Sequence, residues 1–323
     1  MKNALIGLVV SALVVSGCST SEENGTRHSE IDGKVRQLLA KMTVEEKVGQ
    51  MTQITLEQFA KSGQDGYLIL DEEKLRDGIV NHHLGSILNC GGQARTVQNW
   101  QEIITKIQDV AKETPQGIPV IYGIDTIHGA NYVLGATIFP QNIAMAATGN
   151  VALMEKVGEI SALETRAAGI PWNFAPVLDL ARQPMWPRVF ETFGEDPYIA
   201  STMGAAYIHG QQGDDISNPL KVAVCMKHYL GYSWPQSGRD RTPAYIPDRQ
   251  LREWFVRPFA AAVKAGAVTC MANSSEINGV PVHSSSFYLK DLLRGELGFR
   301  GFVVSDWADI ENLYTREKVA RDR

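Results

Sequence analysis

The 323-residue chain is 44% hydrophobic and 21% charged, a balance that excludes a disordered tail, a collagen-like fibre and a coiled coil. It carries 36 acidic against 31 basic residues, for a net charge of -5, and it has no basic run, so a nucleic-acid partner is not expected. The length suits either two average domains or one (β/α) barrel.

The first eighteen residues differ from the rest. Lys2 is their only charge, and an apolar run from Ala4 to Val15, broken by Ser11, is too short for a good spanning helix and reads as a secretory signal peptide. Its end, Val15-Ser16-Gly17-Cys18, has the small residues before a cysteine of a bacterial lipobox. Lipidation at Cys18 is the expectation, with a plain signal peptide as the alternative. Residues 19–29 are polar and read as a flexible tether. An exported protein follows, in the periplasm or at the outer membrane, touching the membrane only through its lipid.

Strand and helix signals then alternate over 30–323. Thr43-Val44-Glu45-Glu46 has capping-box spacing, followed at helical period by Val48 and Met51. Apolar runs follow at 84–88, 119–125, 172–178, 222–228, 267–273 and 301–306, with helical patterns near 97–111, 150–168, 249–264 and 286–296. Near-continuous apolar strands alternating with helices imply a parallel sheet covered on both faces. Asp125, Lys227-His228, Asn273 and Asp306 each follow an apolar run on its C-terminal side. That is the pattern of a TIM barrel, whose site is built at the carboxyl ends of its strands. A doubly wound sheet would carry a Gly-rich phosphate turn after its first strand, and none is present. Six strand candidates, the last followed by about seventeen residues, predict a (β/α)8-type barrel incomplete at its C-terminal end.

Cys90, Cys225 and Cys270 have no spacing in common and do not form a disulfide framework; Cys225 and Cys270 lie in apolar runs and read as small core residues. With no CxxC and no HExxH, neither a metal nor another cofactor is expected.

Three polar segments stand out. Ser305-Asp306-Trp307 ends a strand with a carboxylate beside an aromatic, which suits attack on a sugar ring, although a solvated strand-end Asp would look the same. Lys227-His228 follows an apolar run; its side chains alternate in a strand but reach one cavity where the backbone curves. The stretch 186–197 packs Arg188, three acids and several aromatics without regular period, its acids also suiting a helix cap before Tyr198. Gly238-Arg239-Asp240-Arg241-Thr242-Pro243 is a further polar loop.

Taken together these segments resemble the catalytic barrel of glycoside hydrolase family 3, close to its β-glucosidase branch. The matching pieces are MTVEEKVGQM at 42–51, GIDTIHG at 123–129, FPQNIAMAAT at 139–148, PRVFETFGEDPYI at 187–199, KHYLGYS at 227–233, SGRDRTPAYIP at 237–247, NSSEINGVPVH at 273–283 and LLRGELGFRGFVVSDW at 292–307. Each is weak alone; eight in family order are specific. The resemblance implies a retaining hydrolase that releases terminal non-reducing β-D-glucosyl residues from an oligosaccharide or aryl glucoside through a covalent glycosyl-enzyme. It implies Asp306 as nucleophile, Asp125, Arg188, Lys227 and His228 as ligands of the terminal sugar, and Trp307 as a surface for the leaving group.

The chain departs from the family pattern twice. Many members carry a Tyr where this chain has Ser274. In β-glucosidase-like members the general acid is a Glu from a downstream α/β domain, which these residues do not include. In the N-acetylhexosaminidase branch it is a His after the Lys-His strand, and 229–247 contain none. Glu191, Asp240 and Glu276 are acids of the chain without an assigned part. The alternatives are a β-xylosidase of the same family, and a sugar-binding surface lipoprotein or inactive remnant.

Overall fold

In a computed structural model of the protein, residues 31–322 are described apart from 65–66 and 91; the leader, Cys18 and the tether lie outside them. Eleven strands follow in chain order: β1 (Gln53–Thr55), β2 (Ala60–Gln64), β3 (Tyr67–Leu70), β4 (Ser86–Leu88), β5 (Ile121–Ile124), β6 (Trp172–Asn173), β7 (Ala223–Tyr229), β8 (Thr269–Ala272), β9 (Glu276–Ile277), β10 (Val280–Pro281) and β11 (Phe302–Val304). Seven form one sheet in the order β1-β4-β5-β6-β7-β8-β11, each parallel to the next. Sequential, parallel and curled, this is a partial TIM barrel: β1 and β11 are its two edges, and among the described residues they do not pair with each other. The pairs β2–β3 and β9–β10 are small antiparallel hairpins outside it.

The sheet has seven strands rather than the six expected. The extra one is β1, whose three residues contain a single strongly apolar side chain, Ile54, and are all half-buried. As an edge strand it is only partly covered, so the continuous apolar run that marks a buried parallel strand is missing.

Alternation across the sheet sorts the core into layers. Trp172, Phe174, Cys225 and Met271 point into the curl and pack with Leu88, Ala223 and Val304; Trp172 Nε1 donates to Thr269 Oγ1 across it at 2.8 Å. Their neighbours Val224, Met226, Cys270 and Ala272 point outward against the helices at 151–167, 197–212 and 256–264. Burial pushes the Cys225 thiol up to about 12, so it behaves as a core residue.

The helices follow their sequence signals. Thr43 and Glu46 close a complete capping box. Asn150 caps Val151–Ala167, and Gly169 ends it with φ 82°. The segments Leu251–Phe255 and Phe287–Glu296 are wound as π-helix rather than α-helix. Among the described residues no helix is long and apolar enough to cross a membrane.

Candidate active site

The carboxyl ends of β5, β7 and β11 bring the strand-end polar residues together. Asp125 follows β5, Lys227 and His228 lie near the end of β7, and Asp306 stands two residues beyond β11. The β7–β8 register shifts between Met226 and Tyr229, and this irregularity lets consecutive side chains serve one site. Lys227 Nζ reaches Asp125 Oδ1 at 2.5 Å. The His228 ring turns to the other side, where Nε2 lies 3.3 Å from Arg188 Nη2 and 3.7 Å from Asp306 Oδ2. The five polar residues expected from the sequence thus form two groups, Asp125 with Lys227 and Arg188 with His228 and Asp306, linked through the backbone between Lys227 and His228. Trp307 adjoins them, 59% exposed. Asn273 does not: fully buried, its amide ties to the Leu230 carbonyl.

Each charge in the cluster is held by a second group. Glu191 grips Arg188 in bidentate fashion, Nε to Oε1 at 2.7 Å and Nη2 to Oε2 at 2.8 Å. Burial alone would lower the Arg188 pKa, but the Glu191 pair outweighs it and raises it. Arg188 Nη1 also donates to the Tyr232 hydroxyl at 3.4 Å, and the Tyr232 ring lies against the His228 ring. Asp179 Oδ2 accepts from His228 Nδ1. Arg188 can only donate, so the hydrogen-bond network assigns Nε2 as acceptor and Nδ1 as the protonated nitrogen. Burial, reinforced by Arg188, Lys227 and Arg241, holds the His228 pKa well below its usual value, so the ring is neutral. Burial pushes Asp179 the other way, up to about 8, with the His228 amide opposing.

The two oxygens of Asp306 differ. Oδ1 accepts from Arg241 Nη2 at 3.0 Å and from the Trp307 amide at 2.5 Å. Oδ2 has no hydrogen-bond partner and faces the His228 ring. Arg241 Nη1 in turn donates to Ser274 Oγ at 2.6 Å, and Ser274 Oγ donates to Asp309 Oδ1 at 2.7 Å.

Asp179, Arg241, Ser274 and Asp309 were not assigned roles from the sequence. Asp179 was within reach, since it directly follows the apolar Val177-Leu178 as Asp125 follows Ile124. Arg241 sits in the polar loop 238–243, but nothing local says that the loop folds over β11. Of the unassigned acids, Glu191 is engaged with Arg188, and Asp240 accepts from Trp186 Nε1 at 2.9 Å. Burial, with Glu317 beside it, raises the Glu276 pKa. Asp196 caps the helix Pro197–Gln212, accepting from the Tyr198 amide. Among the described residues no group of three His, Cys, Asp or Glu side chains is placed to hold a metal ion.

The chain has counterparts among known proteins. Residues 43–322 match the family model described as the glycosyl hydrolase family 3 N-terminal domain. The chain belongs to glycosyl hydrolase family 3. It is 46% identical over 308 residues to a lysosomal beta glucosidase of Dictyostelium discoideum, covering 91% of this chain and 37% of that protein. It is 32% identical over 283 residues to a periplasmic beta-glucosidase of Salmonella typhimurium, covering 87% of this chain and 34% of that one. The crystal structure of a beta-glucosidase from Listeria innocua in complex with glucose superposes with a TM-score of 0.77 at 30% identity, covering 90% of this chain and 39% of that one. The chain thus spans a little over a third of the length of these relatives.

Proposed function

We propose that this family 3 barrel performs the first half of a retaining β-glucosidase reaction. Asp306 is the nucleophile: its Oδ2 attacks the anomeric carbon of a terminal β-glucosyl residue and forms a covalent glycosyl-enzyme as the leaving-group oxygen departs. Asp125 and Lys227, together with Arg188 and His228, bind the hydroxyls of that sugar by charge-assisted hydrogen bonds, and Trp307 offers a face to the leaving group. The observation that carries this reading is the Asp306 carboxylate, fixed through Oδ1 and buried without a hydrogen-bond partner at Oδ2, 3.7 Å from His228 Nε2. Glu191 is engaged with Arg188 and Asp240 with Trp186, so we infer that neither is the proton donor.

The test is a 2-fluoro glucoside with an activated phenol, whose departure needs no general acid. Mass spectrometry should find the fluoroglucosyl group on Asp306. Labelling of folded protein at another carboxylate would overturn the assignment. The matching xyloside, run in parallel, decides between glucose and xylose.

We also infer export and acylation at Cys18, on the lipobox and on the periplasmic setting of one relative. Cys18→Ser should move the protein from the membrane to the soluble fraction; retention in the membrane would exclude this anchor.

A further inference from the structure

We propose that Arg241 is the positioning residue of the Asp306 nucleophile: it holds Oδ1 aside so that Oδ2 attacks, and it stabilises the carboxylate when the sugar later leaves. The proposal rests on the assignment of Asp306 just made. Arg241 approaches from the loop after β7, while Asp306 follows β11, so the contact joins two separate βα segments of the barrel. The guanidinium is a rigid fork. One prong donates to Asp306 Oδ1 at 3.0 Å; the other donates to Ser274 Oγ at 2.6 Å and to the Trp307 carbonyl at 3.2 Å. Ser274 is fully buried and passes its own hydrogen to Asp309, which is also buried. Arg316, 3.6 Å from Asp309, donates to the Ser274 carbonyl at 2.6 Å. The prong that does not hold Asp306 is therefore braced, by Ser274 Oγ and the Trp307 carbonyl.

The backbone supports the same reading. Arg241 has φ 57° and Ala308, two residues past Asp306, has φ 58°. Neither is Gly, and such conformations persist where the surroundings dictate them, often at functional sites. Here the two left-handed residues flank the fork and the carboxylate it holds.

The chemistry makes the two steps unequal. In the first step a lone pair of Oδ2 forms the bond to the anomeric carbon while the carbon–oxygen bond to the phenol breaks and its electrons leave with the phenolate. Asp306 passes from anion to ester. Arg241 orients the attack but also stabilises the starting anion, so its charge and its geometry act in opposite directions. In the second step an incoming nucleophile displaces the ester and the electrons of the carbon–Oδ2 bond return to Asp306. Charge and geometry now act together, because Arg241 stabilises the departing carboxylate. Loss of a charged hydrogen bond therefore weighs mainly on the second step, by about 10- to 100-fold.

The experiment labels the full chain with the activated 2-fluoro glucoside, removes the excess, and follows loss of the label by intact mass after addition of azide, which attacks without a general base. Arg241→Ala should keep its label about 10- to 100-fold longer than the parent protein, while its labelling rate at saturation changes less than tenfold. Guanidinium added to the buffer should shorten that lifetime, and Arg241→Lys and Ser274→Ala should fall between. Equal release from parent and Arg241→Ala overturns the proposal, as does an equal slowing of both steps that guanidinium does not relieve. If Arg241→Ala does not fold, parent-like release from both Arg241→Lys and Ser274→Ala overturns it. A parent protein that takes no label on Asp306 sinks the nucleophile assignment itself, an outcome distinct from labelled variants that release alike.

Discussion

A single carboxylate oxygen of Asp179 holds His228 at two points: Oδ2 accepts from the ring Nδ1 at 2.7 Å and from the backbone amide at 3.1 Å. Both partners are buried, so the ring beside Asp306 has one orientation and one tautomer. Burial raises the folded-state pKa of Asp179 to about 8, above the ~3.9 of an unfolded aspartate. The stability from this protonation is complete below about pH 4 and is lost as pH rises through about 8. Asp179→Asn cannot ionise and should lack that loss. Melting temperatures at about pH 5 and about pH 9 should show the parent protein falling by several degrees relative to the variant. A constant gap would refute the protonated carboxyl.

The Arg188–Glu191 pair makes a different prediction. Its partners are mostly buried, with side chains 22% and 11% exposed, so removing one strands the other charge. Glu191→Ala should cost about 3 kcal/mol in denaturant unfolding. It should also weaken inhibition by a glucose-like ligand, because the Arg188 fork loses its anchor. A loss below about 0.5 kcal/mol would mean that the pair is screened like a surface one.

Gly301 tests how the edge of the sheet places the nucleophile. A Cβ there would meet the Val268 carbonyl oxygen at 1.8 Å, and neither backbone can yield without moving β11. Gly301→Ala should destabilise the protein by about 1–3 kcal/mol. It should also slow labelling of Asp306 in the fraction that remains folded, read by intact mass. Unchanged labelling would show that β11 need not keep its place beside β8.

Trp307 is the converse case. With 59% of its surface exposed, Trp307→Ala should leave unfolding free energy within about 0.5 kcal/mol of the parent. If its ring stacks on the leaving group, activated aryl glucosides should need about 5- to 10-fold more reagent for half-maximal labelling. An unchanged concentration dependence would remove it from the site.

Much of this architecture was legible in the sequence because parallel strands buried on both faces leave continuous apolar runs, and because a barrel site is written at their ends. That rule picks out Asp125, Lys227, His228, Asn273 and Asp306, of which Asn273 is turned into the core; the parts proposed for the others come from the family resemblance. β1 escaped because an edge strand is half-covered and need not be apolar. Arg241 escaped for another reason: its partner, Asp306, is 65 residues away in the chain, and its position depends on loop folding that carries no periodicity. Ser274 was visible only as a departure from the family pattern; its contacts with Arg241 and Asp309 required the structure.

Among the described residues β11 pairs only with β8, and Phe302 on its outer side is 44% exposed. A strand bonded on one side opens at lower free energy than one bonded on both. The amides of Phe302–Val304 should therefore exchange hydrogen faster than those of β7, which has neighbours on either flank. Of the groups that meet at this site, Asp306 hangs from the strand with the weakest backbone protection, while Lys227 and His228 are carried by one of the best protected. Anything that pairs with the free edge of β11 will reduce the conformational freedom of the carboxylate while leaving the sugar ligands almost untouched.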